Sequence, residues 1–151
     1  LKVTCTSAGE NGRFTQLFSA EISPETWRND ISSARTFCYY EEIEHLYKNG
    51  LIKGGSLENA IVIRDDAVLT NEPLRYPDEF VRHKILDAIG DIMLVGSPLL
   101  GHVIAYRAGH SLHVGLVETI KKATEAWRMV TWEDVVYDIA SRPPYLVPAR
   151  I

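Results

Sequence analysis

The segment from residue 78 to residue 94 carries the side chains whose types and spacing are best suited to chemistry. A helix advances about 100° per residue, so His83, Lys84, Asp87 and Asp91 would share one polar stripe opposite an apolar half. An imidazole and a carboxylate one turn apart are both good zinc donors. The same spacing is also common on a solvated helix face that carries an ordinary ion pair. On spacing alone, both interpretations stay open.

A second candidate is His110, which follows Gly109 where a predicted strand ends and a helix begins. A histidine presented there could act as a general acid, because a nearby carboxylate such as that of Asp91 easily moves its pKa. It could equally be a capping or packing histidine. The other three histidines have no partner at ligand spacing, and we predict packing or surface roles for them: His45, His102 and His113.

Strands and helices that alternate along the chain must position these residues. We predict a first strand at about residues 1–8 and a second at 14–22, joined as a hairpin by the turn formers at 9–12. Ser23 and Pro24 are typical of a helix start, with Trp27, Ile31 and Ala34 on one face. The first helix would therefore cover the hairpin.

Residues 38–64 predict a small βαβ insertion. Its parts are a helix at 39–48, a strand at Leu51 and Ile52, a glycine bend and a strand at 60–63. The insertion is rich in apolar side chains, which could pack on the main sheet or line a groove for an aliphatic group.

The C-terminal half predicts a long helix at 78–94, a buried strand at 99–106 and a helix at 111–127. The apolar positions of that last helix recur at helical spacing: Leu112, Leu116, Ile120 and Ala123. Beyond residue 131 the tail starts as a helix and finishes extended at Pro143 and Pro144. The fold class is therefore α+β, a two-layer α/β sandwich with a small βαβ insertion.

Composition narrows the classes of function. The chain has 151 residues and a net charge of −4, without a basic cluster, which argues against nucleic acid as a partner. Two cysteines without CxxC spacing are typical of a reducing compartment, so we expect a cytoplasmic protein. No apolar run reaches the ~20 residues of a transmembrane helix. The chain opens on Leu1 inside a predicted strand, which indicates a piece of a longer protein.

The segment from Phe80 to Asp91, FVRHKILDAIGD, closely resembles the signature helix of the UDP-3-O-acyl-N-acetylglucosamine deacetylases of Gram-negative lipid A synthesis. The resemblance covers essentially the whole chain. Further matching segments fall in the family's order: 34–37, 50–51, 54–56, 60–62, 105–110, 125–127 and 130–131.

The resemblance implies a zinc hydrolase in which His83 and Asp87 bind Zn²⁺ together with a histidine from a preceding domain. A glutamate beside that histidine would be the general base. Residues 1–130 would then be the C-terminal deacetylase domain and residues 131–151 its tail, with the N-terminal domain absent from this chain.

The implied reaction removes the acetyl group of UDP-3-O-acyl-N-acetylglucosamine as acetate, the committed step of lipid A synthesis. Thr36 and Lys84 would stabilise the oxyanion. His110, held protonated by Asp91, would donate a proton to the departing amine.

The resemblance also implies a passage for the fatty acyl chain through residues 38–64. The positions that would bind the substrate there are Tyr40, Ile43, Ile52, Gly55, Ser56, Leu57 and Val62. Phe37 and Arg107 would face the sugar-nucleotide end, and lysine is common in the family where Arg107 stands. The alternative function is a catalytically incomplete module that binds an acyl chain or a partner.

Overall fold

The computed structural model describes residues 1–9 and 14–141, with the side chains of the last helix described only to residue 136. Six strands and five helices alternate within these residues. In chain order they are β1 (Lys2–Ala8), β2 (Thr15–Glu21), α1 (Pro24–Thr26), β3 (Thr36–Tyr39), α2 (Ile43–Lys48), β4 (Ala60–Arg64), β5 (Ala67–Leu69), α3 (Glu79–Ile92), β6 (His102–Tyr106), α4 (His110–Lys122) and α5 (Trp132–Ser141). Mixed helices and sheets of this kind confirm the predicted α+β class.

The first sheet has the order β2-β1-β6. Strands β1 and β2 are antiparallel, as the predicted hairpin requires, and its turn residues lie outside the described part of the chain. Strand β6 lies parallel to β1 on the other side. The prediction that this strand is buried was wrong, since Ile104 and Tyr106 are 71% and 76% exposed. Only one face of the sheet packs against helices, so alternate residues of an edge strand face solvent.

The second sheet has the order β3-β4-β5 and contains the βαβ unit, because β3 and β4 are parallel and α2 lies between them in the chain. Its first strand was predicted wrongly. The strand is β3, whereas Leu51 and Ile52 form no strand and Leu51 is 70% exposed. Gly50 has a positive φ and ends α2, and a glycine turn follows Leu51 and Ile52. Two residues are too short a segment to pair with a neighbouring strand.

Strand β5 was not predicted at all. It pairs antiparallel with β4 after a tight turn in which Asp65 has a φ of 51°. Asp and Asn tolerate this left-handed conformation better than most residues. The polar turn was visible in the sequence, but the three-residue strand after it was too short to show a period.

Helix α1 begins as predicted. The Ser23 hydroxyl accepts a hydrogen bond from the Thr26 amide at 3.1 Å, and the Thr26 hydroxyl accepts one from the Ser23 amide at 2.8 Å. The helix then widens into a π-helical turn at Trp27–Ile31, which the sequence did not predict. That turn buries Ile31 in the main core.

The main core lies between the first sheet and α3. Its buried members are Val3, Cys5, Ile31, Val81, Ile85, Ala88, Ile92 and Ala105. Helix α4 packs on α3 through His113 and Val117. The predicted apolar face of this helix was therefore wrong in part, because Leu112 is 63% exposed. Hydrophobic spacing identified a helix but not which of its two apolar stripes meets a neighbour.

Helix α5 confirms that the tail starts as a helix, and the predicted extended finish at residues 143 and 144 lies outside the described residues. Within residues 1–9 and 14–141, none of the helices combines the length and apolar content that a bilayer crossing requires.

A buried ion pair joins the entry of β3 to the first turn of α3. Arg35 donates from Nε to Oε1 of Glu79 at 2.9 Å and from Nη2 to Oε2 at 3.0 Å. The backbone amides of Arg35 and Arg75 donate to the same carboxylate at 2.9 and 2.7 Å. Arg35 also binds the Thr70 hydroxyl and the Pro73 carbonyl. A single carboxylate thus fixes the entry of β3 and the loop that follows β5.

These hydrogen bonds control the charge of Glu79. Burial raises the pKa of its carboxyl group, but the hydrogen bonds and charge of Arg35 and the Arg75 amide together hold that pKa below its usual range. Glu79 therefore stabilises the fold above the pKa of the unfolded chain, and this contribution is lost as the pH falls through the folded pKa.

We predict that Arg35→Met lowers the free energy of unfolding by about 3–5 kcal/mol at pH 7, because Glu79 would remain buried without a counter-charge. Urea unfolding measures the loss. Lys48→Met is the control, since the Lys48–Glu44 pair is exposed and should contribute at most ~1 kcal/mol. The difference in unfolding free energy between Arg35→Met and the parent should narrow as the pH falls through the lowered pKa of Glu79, because the protonated carboxyl group no longer needs a counter-charge. Equal losses in the two variants would contradict the prediction.

Candidate metal and catalytic site

His83 and Asp87 lie one turn apart on α3 and face each other. Nε2 of His83 is 3.2 Å from Oδ1 of Asp87, and Nδ1 of His83 is 3.0 Å from the backbone carbonyl of Ala34. A carbonyl oxygen only accepts, so Nδ1 carries the proton and donates it. In the neutral ring Nε2 then presents a lone pair beside the Asp87 carboxylate.

Two acceptors this close together favour a cation between them, either a proton or a metal ion. A histidine oriented by a backbone carbonyl at its other ring nitrogen is the usual arrangement of metal-binding imidazoles. An imidazole nitrogen and a carboxylate oxygen are also donors that catalytic zinc accepts. The pair therefore fits two positions of a zinc site. Among the described residues, no third histidine, cysteine or carboxylate joins this pair at coordinating distance.

Asp87 is held in its ionised form by its neighbours. Burial raises the pKa of Asp87, but the hydrogen bond and charge of His83 and the charges of Lys84 and His110 outweigh it and lower the pKa below its ordinary value. Nζ of Lys84 lies 3.3 Å from Oδ2 of Asp87 and 5.4 Å from the centre of the Phe37 ring. Asp91, which contacts His110, lies one turn beyond Asp87 on α3, so His110 is tied to the same face of this helix.

The two thiols are poor metal ligands in this fold. Burial raises the pKa of Cys5 to about 11, and burial with the charge of Glu42 raises the pKa of Cys38. Both thiols therefore stay protonated near neutral pH, whereas zinc binds the thiolate. The chemistry of this site rests on imidazoles, carboxylates and an ammonium group.

Asp91, one turn beyond Asp87, holds two histidines with one oxygen. Its Oδ2 is 2.7 Å from Nδ1 of His110 and 2.8 Å from Nδ1 of His113. The first contact is the one that the sequence suggested. The second was missed, since we expected His113 to have no partner. The three-residue spacing of the two histidines on α4 was the available signal, because residues three apart share a helix face.

The corner between β6 and α4 presents His110. Arg107 has a φ of 49°, and its amide donates to the carbonyl and the hydroxyl of Thr6, both at 3.2 Å. Gly109 is then extended and caps the first turn of α4, where its carbonyl accepts from the amides of Leu112 and His113. The reversal at Arg107 therefore sets the direction in which the helix leaves the sheet.

A cavity of about 420 Å³ opens beside the βαβ unit. It is lined by Thr36, Phe37, Cys38, Leu46, Leu51, Ile52, Gly54, Gly55, Asn59 and Ala60. Four of the predicted catalytic or substrate-binding positions are among these residues. The other predicted substrate-binding positions are not part of this lining, and their contact with an acyl chain or a sugar nucleotide stays a prediction: Tyr40, Ile43, Ser56, Leu57, Val62 and Arg107.

Phe37 connects the cavity to the polar stripe of α3. Its ring lies 4.8 Å from that of Phe80 and 6.2 Å from that of Phe14, measured between centres. Residues alternate along β3, so Thr36 and Cys38 lie on the opposite face from Phe37. Phe37 also lines the cavity, so β3 contributes three consecutive residues to the cavity wall and contacts the aromatic cluster beside Lys84 through Phe37.

Comparison with known proteins identifies the family of this chain. The family model described as UDP-3-O-acyl N-acetylglycosamine deacetylase, LpxC, matches residues 1–122. The chain belongs to this deacetylase family. Every polar residue described above for α3 and α4 lies inside the matched range of this LpxC family member.

Two curated relatives in the LpxC family carry the name UDP-3-O-acyl-N-acetylglucosamine deacetylase. The one from Chromobacterium violaceum is 43% identical over 122 residues, which are 81% of this chain and 40% of the relative. The one from Syntrophotalea carbinolica is 48% identical over 110 residues, 73% of this chain and 36% of the relative. The chain thus spans about two fifths of the length of these LpxC relatives.

We predict that two variants can distinguish the contribution of the Arg107 backbone conformation to stability from that of its side chain. Arg107→Gly should change the free energy of unfolding by less than about 0.5 kcal/mol, because relief of the positive φ offsets the greater entropy of the unfolded chain. Arg107→Val should lose about 1–2 kcal/mol, because a β-branched residue resists this conformation. Chemical denaturation of the two variants, which both lack the guanidinium, measures the difference. Equal stability would mean that the turn does not require this φ.

Proposed function

We propose that this chain carries two of the zinc ligands and the general acid of an enzyme that hydrolyses the acetamide of UDP-3-O-acyl-N-acetylglucosamine. The products are acetate and the free amine, and this is the committed step of lipid A synthesis. The observation that carries the proposal is the His83–Asp87 pair, with one ring nitrogen bound to Ala34 and the other facing a carboxylate. The names of the two relatives support the substrate.

In this proposal His83 and Asp87 would hold the metal, and a preceding domain would supply a third ligand and a glutamate base. The greater length of the relatives supports such a domain. Bound zinc supplies a Lewis acid that polarises the amide carbonyl and makes water a better nucleophile at neutral pH. Alone, the two ligands of this chain would bind zinc weakly.

Lys84 and Thr36 stabilise the negative oxygen that forms as the carbonyl is attacked. Lys84 lies beside Asp87 and next to the Phe37 ring, so its ammonium is close to the proposed metal position. Thr36 lines the cavity at the first residue of β3, two residues after the carbonyl that orients His83. A positive charge and a hydroxyl donor fixed in advance are the groups that stabilise such an oxygen.

His110 donates the proton that the leaving amine requires. Its Nδ1 is bound to Asp91, and its side chain is 68% exposed, so Nε2 is open to a substrate. The Asp91 carboxylate accepts the hydrogen bond from Nδ1, which leaves Nε2 as the ring nitrogen that can give a proton to the substrate. The amine nitrogen takes the Nε2 proton as the bond between carbon and nitrogen breaks.

The substrate lies across both sides of β3. Its acyl chain occupies the cavity, with Ile52 and Gly55 on the wall. Phe37 and Arg107 contact the sugar-nucleotide end, where a guanidinium can bind phosphate oxygens in pairs.

Both cysteines are free thiols, which supports a cytoplasmic enzyme.

We predict that His83→Ala and Asp87→Ala each weaken zinc binding to the full-length enzyme by more than about 100-fold, because each removes a direct ligand and even the loss of a group that orients a ligand costs about 10–100-fold. Isothermal titration calorimetry with zinc at fixed pH measures this affinity. The control is His102→Ala, since His102 binds Thr4 at 2.8 Å on the outer face of the first sheet.

His110→Ala tests whether zinc binds at His110 and His113 instead. This variant should leave zinc binding at His83 and Asp87 unchanged. If zinc affinity depends on His110 and not on His83, the proposed metal site is wrong. Unchanged metal content in all variants would instead favour the module that binds an acyl chain without catalysis.

We predict that Gly54→Phe raises KM about tenfold for a substrate with a long acyl chain and leaves kcat unchanged. Gly54 lines the cavity, and a Cβ built there meets no atom within 4 Å, so the new side chain enters open space rather than backbone. Acetate release from long-chain and short-chain substrates by the full-length enzyme measures the effect. Gly101→Phe is the matched control, because a Cβ there is equally free and Gly101 is not among the cavity residues. A KM that rises equally for both substrates would contradict the acyl assignment.

A further inference from the structure

His113 is a buried polar residue that the proposed reaction does not yet use. It lies three residues after His110 on α4, and its side chain is only 4% exposed. Its Nδ1 is 2.8 Å from Oδ2 of Asp91. Its Nε2 is enclosed and meets no protein donor or acceptor in the described part of the chain.

These contacts select one form of the ring. The Asp91 carboxylate accepts, so Nδ1 of His113 carries a proton. A proton on Nε2 as well would leave an enclosed N–H without an acceptor, which is costly. His113 is therefore a neutral imidazole with its hydrogen on Nδ1, a fixed and uncharged donor to Asp91.

The two histidines differ in how firmly they are held. A free carboxylate turns readily about its last torsion, and the exposed ring of His110 is a weak restraint on it. His113 is packed between α4 and α3 and cannot follow such a rotation. The rings of His110 and His113 also meet edge to face, with centres 6.3 Å apart and planes at 86°. The buried ring therefore fixes both the oxygen that His110 binds and one side of His110 itself.

We propose that His113 is a positioning residue, which holds Oδ2 of Asp91 in place and through it orients His110 toward the substrate. The proposal rests on the function of His110 as the proton donor to the leaving amine. His113 touches neither substrate nor metal in this arrangement. His113 would increase the fraction of time in which His110 is oriented to donate its proton. Its loss should therefore lower kcat more than it changes KM.

The test compares three replacements of His113 in the full-length enzyme. His113→Asn can place an amide N–H where Nδ1 stood, because both nitrogens are bonded to Cγ. His113→Leu fills the site without a donor, and His113→Phe keeps the ring shape without one. Acetate release should show kcat about tenfold lower for the two apolar variants, with KM within about twofold, and most of the activity restored in His113→Asn. His102→Asn, on the outer face of the sheet, controls for loss of a histidine.

The proposal is overturned if a folded apolar variant keeps the parent kcat, or if His113→Asn is as slow as His113→Leu. Thermal unfolding identifies the variants that are folded. A second measurement is independent of activity. Imidazole ¹⁵N spectra of the parent chain should show His113 as the neutral Nδ1–H form, and His113→Leu should shift the Nδ1 signal of His110.

Unchanged His110 signals would also overturn the proposal. If the parent enzyme releases no acetate, the proposed function fails. The ¹⁵N spectra would then still decide whether His113 orients His110.

Discussion

The buried pair of Arg35 and Glu79 is the interaction on which the rest of this structure depends. Arg35 follows directly after the residue whose carbonyl binds His83, and it precedes the strand that carries Thr36 and Phe37. Glu79 begins the helix that carries His83 one turn later. By joining these two points, the pair sets the distance between β3 and α3. A buried ion pair of this kind adds little net stability compared with apolar packing. Its hydrogen bonds can all form in only one arrangement of β3 and α3, so the pair selects that arrangement.

Helix α3 repeats this arrangement at intervals of four residues. Glu79, His83, Asp87 and Asp91 follow one another along a single stripe, and each binds a group from another part of the chain or from its neighbour on the helix. The first position fixes the fold, the next two face the proposed metal, and the fourth holds the histidines of α4. Residues four apart lie almost above one another on a helix. Helix α3 therefore holds the residue of the buried ion pair and the residues of the candidate site in one line.

Much of this could be predicted from the sequence, and the failures have physical causes. Helix α3 was evident because fourteen residues give a clear period, and the start of α1 was evident because Ser23 and Pro24 form a local cap. Strands β3 and β5, of four and three residues, are too short to show a period, and pairing with β4 rather than local preference creates them. The contact between His113 and Asp91 joins two helices, so the three-residue spacing of His110 and His113 placed them on one face of α4 but could not show which residue of another helix they meet. The polar stripe of α3 could be recognised in the sequence. The residues that its side chains bind could not, because tertiary contacts bring them together.

The position of β3 between two sites has a consequence for how selectivity can change. Its Thr36 and Cys38 belong to the cavity wall, while Phe37 packs on Phe80 beside Lys84. Any shift of this strand that widened the chamber would also displace the reactive groups. The opposite wall is formed by Leu46 of α2 and by the glycine loop after that helix. A substitution in that wall can therefore change the shape of the chamber without replacing any residue of β3.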